Sequence, residues 1–218
     1  MAHELISIML VEDHQLVRQG MSMLINSQDD MDVVYECACV NEAKQFLQHT
    51  PSEVDVAIVD ISLDGVSGFE LMKWMRIYHS DLPTIAISMH DELLYAERAI
   101  KTGASGYIMK QEASDKVING IRAVVGGEIV VSDAIRSRIN SNESADRDSV
   151  IDNLTACEYE VFQLLAQGKS TSEIAYLNSR SVKTIEAHRA NIRKKLGLSD
   201  GNALMRYAIK MQSEIAAV

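Results

Sequence analysis

The chain has 218 residues, 47% of them apolar and 24% charged, and a formal net charge of −10. That length suits one large domain or two small ones, each able to bury its own core, and the composition excludes a wholly disordered chain. The charge is unevenly placed: 11 Lys and Arg face 21 Asp and Glu through residue 140, and 10 face 10 afterwards, so the acidic excess belongs to the first part.

In chain order, the apolar run at 6–11 predicts a buried strand ending on two acids, Glu12 and Asp13. A helix is expected at 15–27, with Leu16, Val17, Met21, Leu24 and Ile25 at helical spacing, then a strand at 33–35 and a helix at 41–49 stopped near Pro51. Val56-Ala57-Ile58-Val59 predicts a strand buried on both faces, with Asp60 at its carboxyl end and a Gly-containing loop at 61–68. A third helix follows Gly68 and carries Phe69, Leu71, Met72, Met75 and Ile77. Thr84-Ile85-Ala86-Ile87 predicts a strand ending at Ser88, and a helix spans 92–102 with Gly103 as its stop. Tyr107-Ile108-Met109 predicts a fifth strand ending at Lys110, and Ser114 can cap a last helix that runs out at Gly126-Gly127. Five strands alternating with five helices predict βαβ units with right-handed crossovers. The expected fold is α/β: a five-stranded, parallel, doubly wound sheet of flavodoxin-like type.

A short strand-like piece and a further helix are expected between 128 and 140, and 141–149 is polar, with no apolar residue larger than Ala145. The expected domains are 1–127, a linker at 128–150, and an all-α unit at 151–218. In that unit Thr155-x-x-Glu158 and Ser170-x-x-Glu173 match capping boxes, each opening an apolar-periodic run. The first helix would bury Val161, Leu164 and Leu165 and end at Gly168; the second, holding Ile174, Ala175 and Leu177, breaks at Asn178-Ser179. Ser181 caps a third that runs to Gly197, and a fourth places Leu204, Tyr207, Ala208 and Met211 along one side. Residues 180–195 hold Arg180, Lys183, Arg189, Arg193, Lys194 and Lys195 against Glu186 alone. A charge run is often only a solvated face, but two helices joined by a tight turn, with the basic cluster on the second, describe a helix-turn-helix.

Cys37, Cys39 and Cys157 form neither a CxxC pair nor a disulfide framework and are expected to be core thiols in a reducing compartment. No apolar stretch approaches a membrane span, and the run at 6–11 lacks the basic flank of a signal peptide, so a cytoplasmic location without membrane contact is expected.

A parallel sheet gathers its strand ends on one edge, which brings Glu12, Asp13, Asp60, Ser88 and Lys110 to a topological switch point. Each has an ordinary alternative: Asp60 and Asp13 as turn or helix caps, Lys110 as a solvated lysine, Ser88 as a strand-end hydroxyl. Together, the acids would supply hard oxygen ligands for Mg²⁺, and an Asp beside that ion can attack phosphorus. Lys110 would pair with a phosphoryl oxygen as a point charge, and Ser88 would hydrogen-bond another.

Val11-Glu12-Asp13-His14, Val59-Asp60, Ser67-Gly68, Ile87-Ser88, Gly103-Ala104-Ser105-Gly106-Tyr107 and Met109-Lys110 resemble the receiver domain of bacterial two-component response regulators. Leu154-Thr155 with Glu158, Leu164-Leu165-Ala166-Gln167-Gly168, Glu173-Ile174-Ala175, Ser181-Val182-Lys183-Thr184-Ile185, His188 and Lys195-Leu196-Gly197 resemble the LuxR-type helix-turn-helix. The order is that of the NarL/FixJ family. The resemblance implies a histidine kinase that donates phosphate to Asp60, with Mg²⁺ held by Asp13, Asp60, the Ser62 carbonyl and, through water, Glu12. It also implies a switch in which Ser88 moves toward the phosphoryl group and Tyr107 reorients. Two positions depart from the usual pattern: Asp64 stands before Gly65 where many receivers have Pro, and Gln111 follows Lys110 where many have Pro.

On a helical wheel from Ser181, Val182, Ile185, His188, Ile192 and Leu196 fall on one side, so His188 is expected in the core. Lys183, Ala187, Ala190 and Lys194 lie opposite, flanked by Glu186, Asn191 and Arg193. By resemblance Glu186, Ala187 and Ala190 are the base-reading positions in the DNA major groove. The full expected contact set is Lys183, Thr184, Glu186, Ala187, Ala190, Arg193 and Lys194, with the basic members holding phosphates. Arg180 and Asn178 stand at turn positions where the family usually has apolar residues. The leading expectation is a homodimeric, phosphorylation-controlled transcriptional regulator of double-stranded DNA, not an enzyme. The alternatives are a regulator acting mainly through receiver- or ligand-driven protein assembly, and a metal-dependent phosphotransferase, for which the chain leaves little room for a substrate cap.

Overall fold

The structure, a computed structural model, describes residues 5–63, 67–89, 92–112, 114–140, 154–178 and 180–216. The chain divides into two compact units, Met1–Glu143 and Ser144–Val218. The extra acid Asp64 and the whole polar stretch 141–149 lie outside the described residues.

The first unit alternates β1 (Ile6–Val11), α1 (Gln15–Asn26), β2 (Met31–Cys37), α2 (Val40–His49), a short 3-10 turn (Pro51–Glu53), β3 (Val56–Asp60), α3 (Gly68–Tyr78), β4 (Thr84–Ser88), α4 (Glu92–Thr102), β5 (Gly106–Met109) and α5 (Ser114–Val125). The strands form one parallel sheet in the order β2-β1-β3-β4-β5. The α/β, doubly wound expectation therefore holds. Ile8, Leu10, Val56, Ile58, Ile85, Ile87 and Ile108 pack with Ile25 of α1 and Val117, Ile118, Ile121 and Val124 of α5. Met9, Val11, Ala57, Val59, Ala86 and Tyr107 alternate with them and are equally buried, as a sheet covered on both faces requires.

Several expectations shift. Ser114 is the first residue of α5, not its cap. Leu16 and Ile77, placed on apolar stripes by spacing, are 83% and 71% exposed. Cys37 is buried, and burial pushes its thiol up to about 12, which makes it inert, whereas Cys39 and Cys157 are only half-buried.

Residues 128–140, read from sequence as the start of a linker, pack on the first unit instead. Val130 bridges to Gly106, its carbonyl accepts from the Tyr107 amide at 2.8 Å, and its own amide donates to Ser105 at 2.9 Å. This covers the open edge of β5 and satisfies its backbone. The following helix, α6 (Asp133–Asn140), buries Ile135 completely, and the Ser132 amide donates to Glu92 Oε1 of α4 at 2.6 Å.

The second unit holds α7 (Ala156–Ala166), α8 (Thr171–Leu177), α9 (Val182–Leu196) and α10 (Gly201–Ala216). Both capping boxes form as the sequence predicts, and Ser181 caps α9. Leu154, Val161, Phe162, Leu165, Ile174, Ile185, Ile192, Leu204 and Ala208 make the core. Leu177, expected in it, is 55% exposed.

Gly68 opens α3 directly over the end of β3: a Cβ there would lie 2.0 Å from the Asp60 carbonyl oxygen. Gly20, inside α1, has open space within 4 Å. Gly68→Ala is therefore expected to lose about 1–3 kcal/mol to overpacking. Gly20→Ala should gain up to about 1 kcal/mol from helix propensity. Urea unfolding followed by Trp74 fluorescence measures both, since the single tryptophan reports the first unit.

Candidate functional site

The backbone builds the site. Glu12 and Asp13 follow β1, Asp60 ends β3, Ser88 ends β4, and Lys110 follows β5, so four neighbouring parallel strands deliver them to one edge. The edge is held together by the Ile61 amide donating to the Ile87 carbonyl at 3.1 Å and the Lys110 amide donating to the Ser88 carbonyl at 2.7 Å.

Lys110 Nζ donates to Asp60 Oδ2 at 2.8 Å and sits 2.5 Å from Glu12 Oε2. The ammonium therefore serves both buried carboxylates at once. Glu12 is fully buried and Asp60 is 1% exposed. Burial pushes the Glu12 carboxyl above its usual value, and the negative charge of Asp60 adds to the rise against the opposing Lys110 ammonium. For Lys110, burial works to lower the pKa, but Asp60 and Glu12 together outweigh it and hold the ammonium above its ordinary value. Asp60 Oδ1 accepts from the Ser62 amide at 3.1 Å. Ser88 is fully buried and Tyr107 is 2% exposed.

Sequence reasoning gave no role in the site to three contributors, although His14 and Gly68 stand in the motifs that carry the resemblance. Arg18 Nη1 donates to the Glu12 carbonyl at 2.5 Å and reaches the Asp13 carbonyl at 3.5 Å, tying α1 to the acidic turn. His14 stands beside the acids, with Nδ1 2.8 Å from Asp13 Oδ1. Gly68 is needed for space, as above. The motifs name His14 and Gly68 but not what they touch, and no motif includes Arg18.

In the second unit α9 presents Lys183, Glu186, Ala187, Ala190 and Lys194 to solvent, while Arg193 and Thr184 are half-buried. The Thr184 hydroxyl is 2.7 Å from the Ser181 hydroxyl at the cap. Ile185 and Ile192 are buried and His188 is half-buried, but Val182, expected on the core side, is 45% exposed. Two of the basic residues are structural. Lys195 Nζ donates to Glu158 Oε2 at 2.6 Å, and Arg189 Nη1 donates to Thr171 Oγ1.

Two family models match the chain: the response regulator receiver domain over residues 8–122, and the bacterial regulatory proteins of the luxR family over residues 152–208. The chain is a response regulator of the NarL/FixJ type. This regulator is 36% identical over 214 residues to the oxygen regulatory protein NreC of Staphylococcus carnosus, covering 93% of this chain and 96% of that one. It is 34% identical over 203 residues to the transcriptional regulatory protein UhpA of Escherichia coli K12, covering 93% and 97%. It also resembles the crystal structure of a LuxR-family two-component response regulator from Aurantimonas, at 30% identity and a TM-score of 0.58 over 63% of this chain and 97% of that one. The acidic edge thus belongs to the regulator's receiver domain, and the helical unit is its LuxR-type DNA-binding domain. Among the described residues no helix is long and apolar enough to cross a membrane.

Glu158 closes both the α7 capping box and the contact to Lys195 of α9. Burial opposes its ionisation, but the Lys195 ammonium and the Thr155 amide outweigh burial and hold its carboxyl below the usual range. A lowered folded pKa means that this stabilisation is complete above the ordinary Glu value of about 4.3. It is then lost as pH falls through the depressed value. Glu158→Gln is expected to lower the unfolding midpoint of the DNA-binding domain at pH 7 and to flatten its acid-side slope. Urea titrations across pH, read from the NMR signals of α7 and α9, check this.

Proposed function

We propose that Asp60 accepts a phosphoryl group from a histidine kinase, and that the modified receiver shifts dimerisation and DNA binding by the second domain. The observation that carries this reading is the Asp60 carboxylate at the switch-point edge, with the Lys110 ammonium 2.8 Å away and two further carboxylates beside it.

The donor set suits a divalent cation. Glu12, Asp13, His14 and Asp60 each offer a ligand atom within 4.8 Å of the others. Asp13, Asp60, the Ser62 carbonyl and, through water, Glu12 would hold Mg²⁺. The ion would offset the repulsion between the Asp60 carboxylate and the incoming phosphoryl group.

The chain's own groups do the rest. An Asp60 carboxylate oxygen attacks phosphorus, the bond from phosphorus to the kinase imidazole breaks, and its electron pair leaves with the imidazole nitrogen. Lys110, with three donors on a flexible stem, turns from Asp60 Oδ2 to a phosphoryl oxygen. Ser88, one strand over, donates to another. The new charge of about −1.5 to −2 favours the arrangement in which Ser88 has moved and Tyr107 has turned. Because the Tyr107 amide is bound to Val130, motion of β5 is felt by the segment that leads to α6 and onward along the chain.

On the output side, α9 enters the major groove with Glu186, Ala187 and Ala190 toward base edges. Lys183, Thr184, Arg193 and Lys194 lie at or beside phosphates. The exposed Tyr176 and Leu177 on α8 favour a second reading, in which this domain serves protein assembly and binds DNA weakly.

Asp60→Asn is expected to abolish acid-labile phosphoryl uptake from acetyl phosphate with Mg²⁺; undiminished uptake removes the Asp60 assignment. Lys194→Ala should weaken DNA binding evenly across sequences and reduce the salt slope by about 1. Titrations on DNA at several salt concentrations measure it, and a complete lack of salt-sensitive binding favours the assembly reading.

A further inference from the structure

Between residues 180 and 195 a single acid, Glu186, stands among the basic residues. It is exposed on α9 and, among the described residues, neither pairs with a cation nor accepts a hydrogen bond. Its helical neighbours explain why. The residue four ahead, where an i,i+4 cation would stand, is Ala190. Three ahead, Arg189 is turned inward to Thr171 Oγ1. Three behind, Lys183 stands in solvent without pairing with it. Nor does Glu186 serve the helix end: the first turn of α9 holds no acid, Ser181 already accepts from the Thr184 amide there, and the pull of the helix dipole fades beyond that turn.

A carboxylate beside the outward stripe of Lys183, Ala187, Ala190 and Lys194 is repelled by a phosphate backbone and is costly there unless it meets a donor. In the major groove the donors on base edges are the amino groups of cytosine (N4) and adenine (N6), whereas guanine O6 and N7 and thymine O4 only accept. Adenine also sets its N7 acceptor next to the amino group, against the second carboxylate oxygen; cytosine offers its amino group beside a C–H. The short side chains at 187 and 190 leave room for α9 to approach until Glu186 reaches a base edge. We infer that Glu186 is a specificity-determining residue that accepts a hydrogen bond from cytosine N4, so that the regulator selects a C·G pair at one position of its site. This rests on the reading in which α9 enters the major groove, and does not require phosphoryl transfer. The rival account is that Glu186 is a solvated charge that only weakens binding to any DNA.

Selection of bound duplexes from a random DNA library by the full chain, with and without acetyl phosphate and Mg²⁺, followed by fluorescence anisotropy on the selected sites at several salt concentrations, separates the two accounts. Wild type is compared with Glu186→Gln and Glu186→Ala, both at an exposed position. In wild type, changing the selected C·G pair to any of the other three is expected to cost about tenfold or more in affinity. Glu186→Ala should lose that preference while binding unrelated DNA more tightly, by roughly a few-fold at low salt. Glu186→Gln should turn the preference at the same pair to A·T, because an amide both donates to adenine N7 and accepts from N6. An unchanged base preference in both variants overturns the proposal, as does a rise by one common factor on every sequence, which marks Glu186 as a solvated charge. Specific, salt-sensitive binding indifferent to Glu186 overturns only this inference; the absence of any salt-sensitive binding removes the groove reading and this inference with it.

Discussion

The contact on which the receiver depends is the Lys110 ammonium set between Glu12 and Asp60. Both carboxylates are withdrawn from water, and two such charges a few ångströms apart repel strongly in a medium of low polarity. The ammonium offsets that repulsion and ties the ends of β1, β3 and β5 to one point. Sheet register and site chemistry are thus one constraint: β5 must be in place for Lys110 to reach Asp60, and the acids need Lys110 to be buried together. A pocket balanced in this way responds to a new charge. Under the proposed function, a dication among the acids or a phosphoryl group on Asp60 would give the lysine a different partner and disturb the strand that carries it.

The DNA-binding domain uses charge differently. Glu158 is buried and serves as a brace, closing the α7 capping box and holding Lys195 of α9. Arg189 reaches back to Thr171 at the start of α8. Of the six basic residues between 180 and 195, two are engaged inside the domain. Arg180, Lys183 and Lys194 stand in solvent, and Arg193 is half-buried. The alanines at 187 and 190 lie between them with nothing bulky on the outward face of α9. That face leaves room for close approach to a groove, and its few free charges are what the proposed DNA contact would draw on.

Elements with strong periodicity were readable from the sequence to within a residue or two: β1, β3 and β4 match their expected bounds, and the caps at Thr155, Ser170 and Ser181 form as their spacing demands. Ambiguity entered where an apolar residue has two lawful homes. Leu16, Ile77 and Val182 satisfy helical spacing yet lie in solvent, because an apolar stripe is wider than the surface a neighbouring element can cover. Residues 128–140 looked like linker because Val130 earns its place by pairing with Gly106, far away in sequence. No local pattern reports that pairing.

By itself, the sequence determined the alternation of strands and helices, and with it the gathering of Glu12, Asp13, Asp60, Ser88 and Lys110 on one edge, since parallel strands must end together. It also determined the second, helical unit and its basic third helix. Only the tertiary structure decided how those groups meet: which oxygen Lys110 holds, that Gly68 must lack a side chain beside the Asp60 carbonyl, that His14 and Arg18 join the acidic turn, and that Lys195, on the surface of α9, reaches the buried Glu158 of α7. The physical reason is range. Periodicity and capping act within a few residues along the chain, whereas these contacts depend on distances between segments that only packing of the whole unit sets.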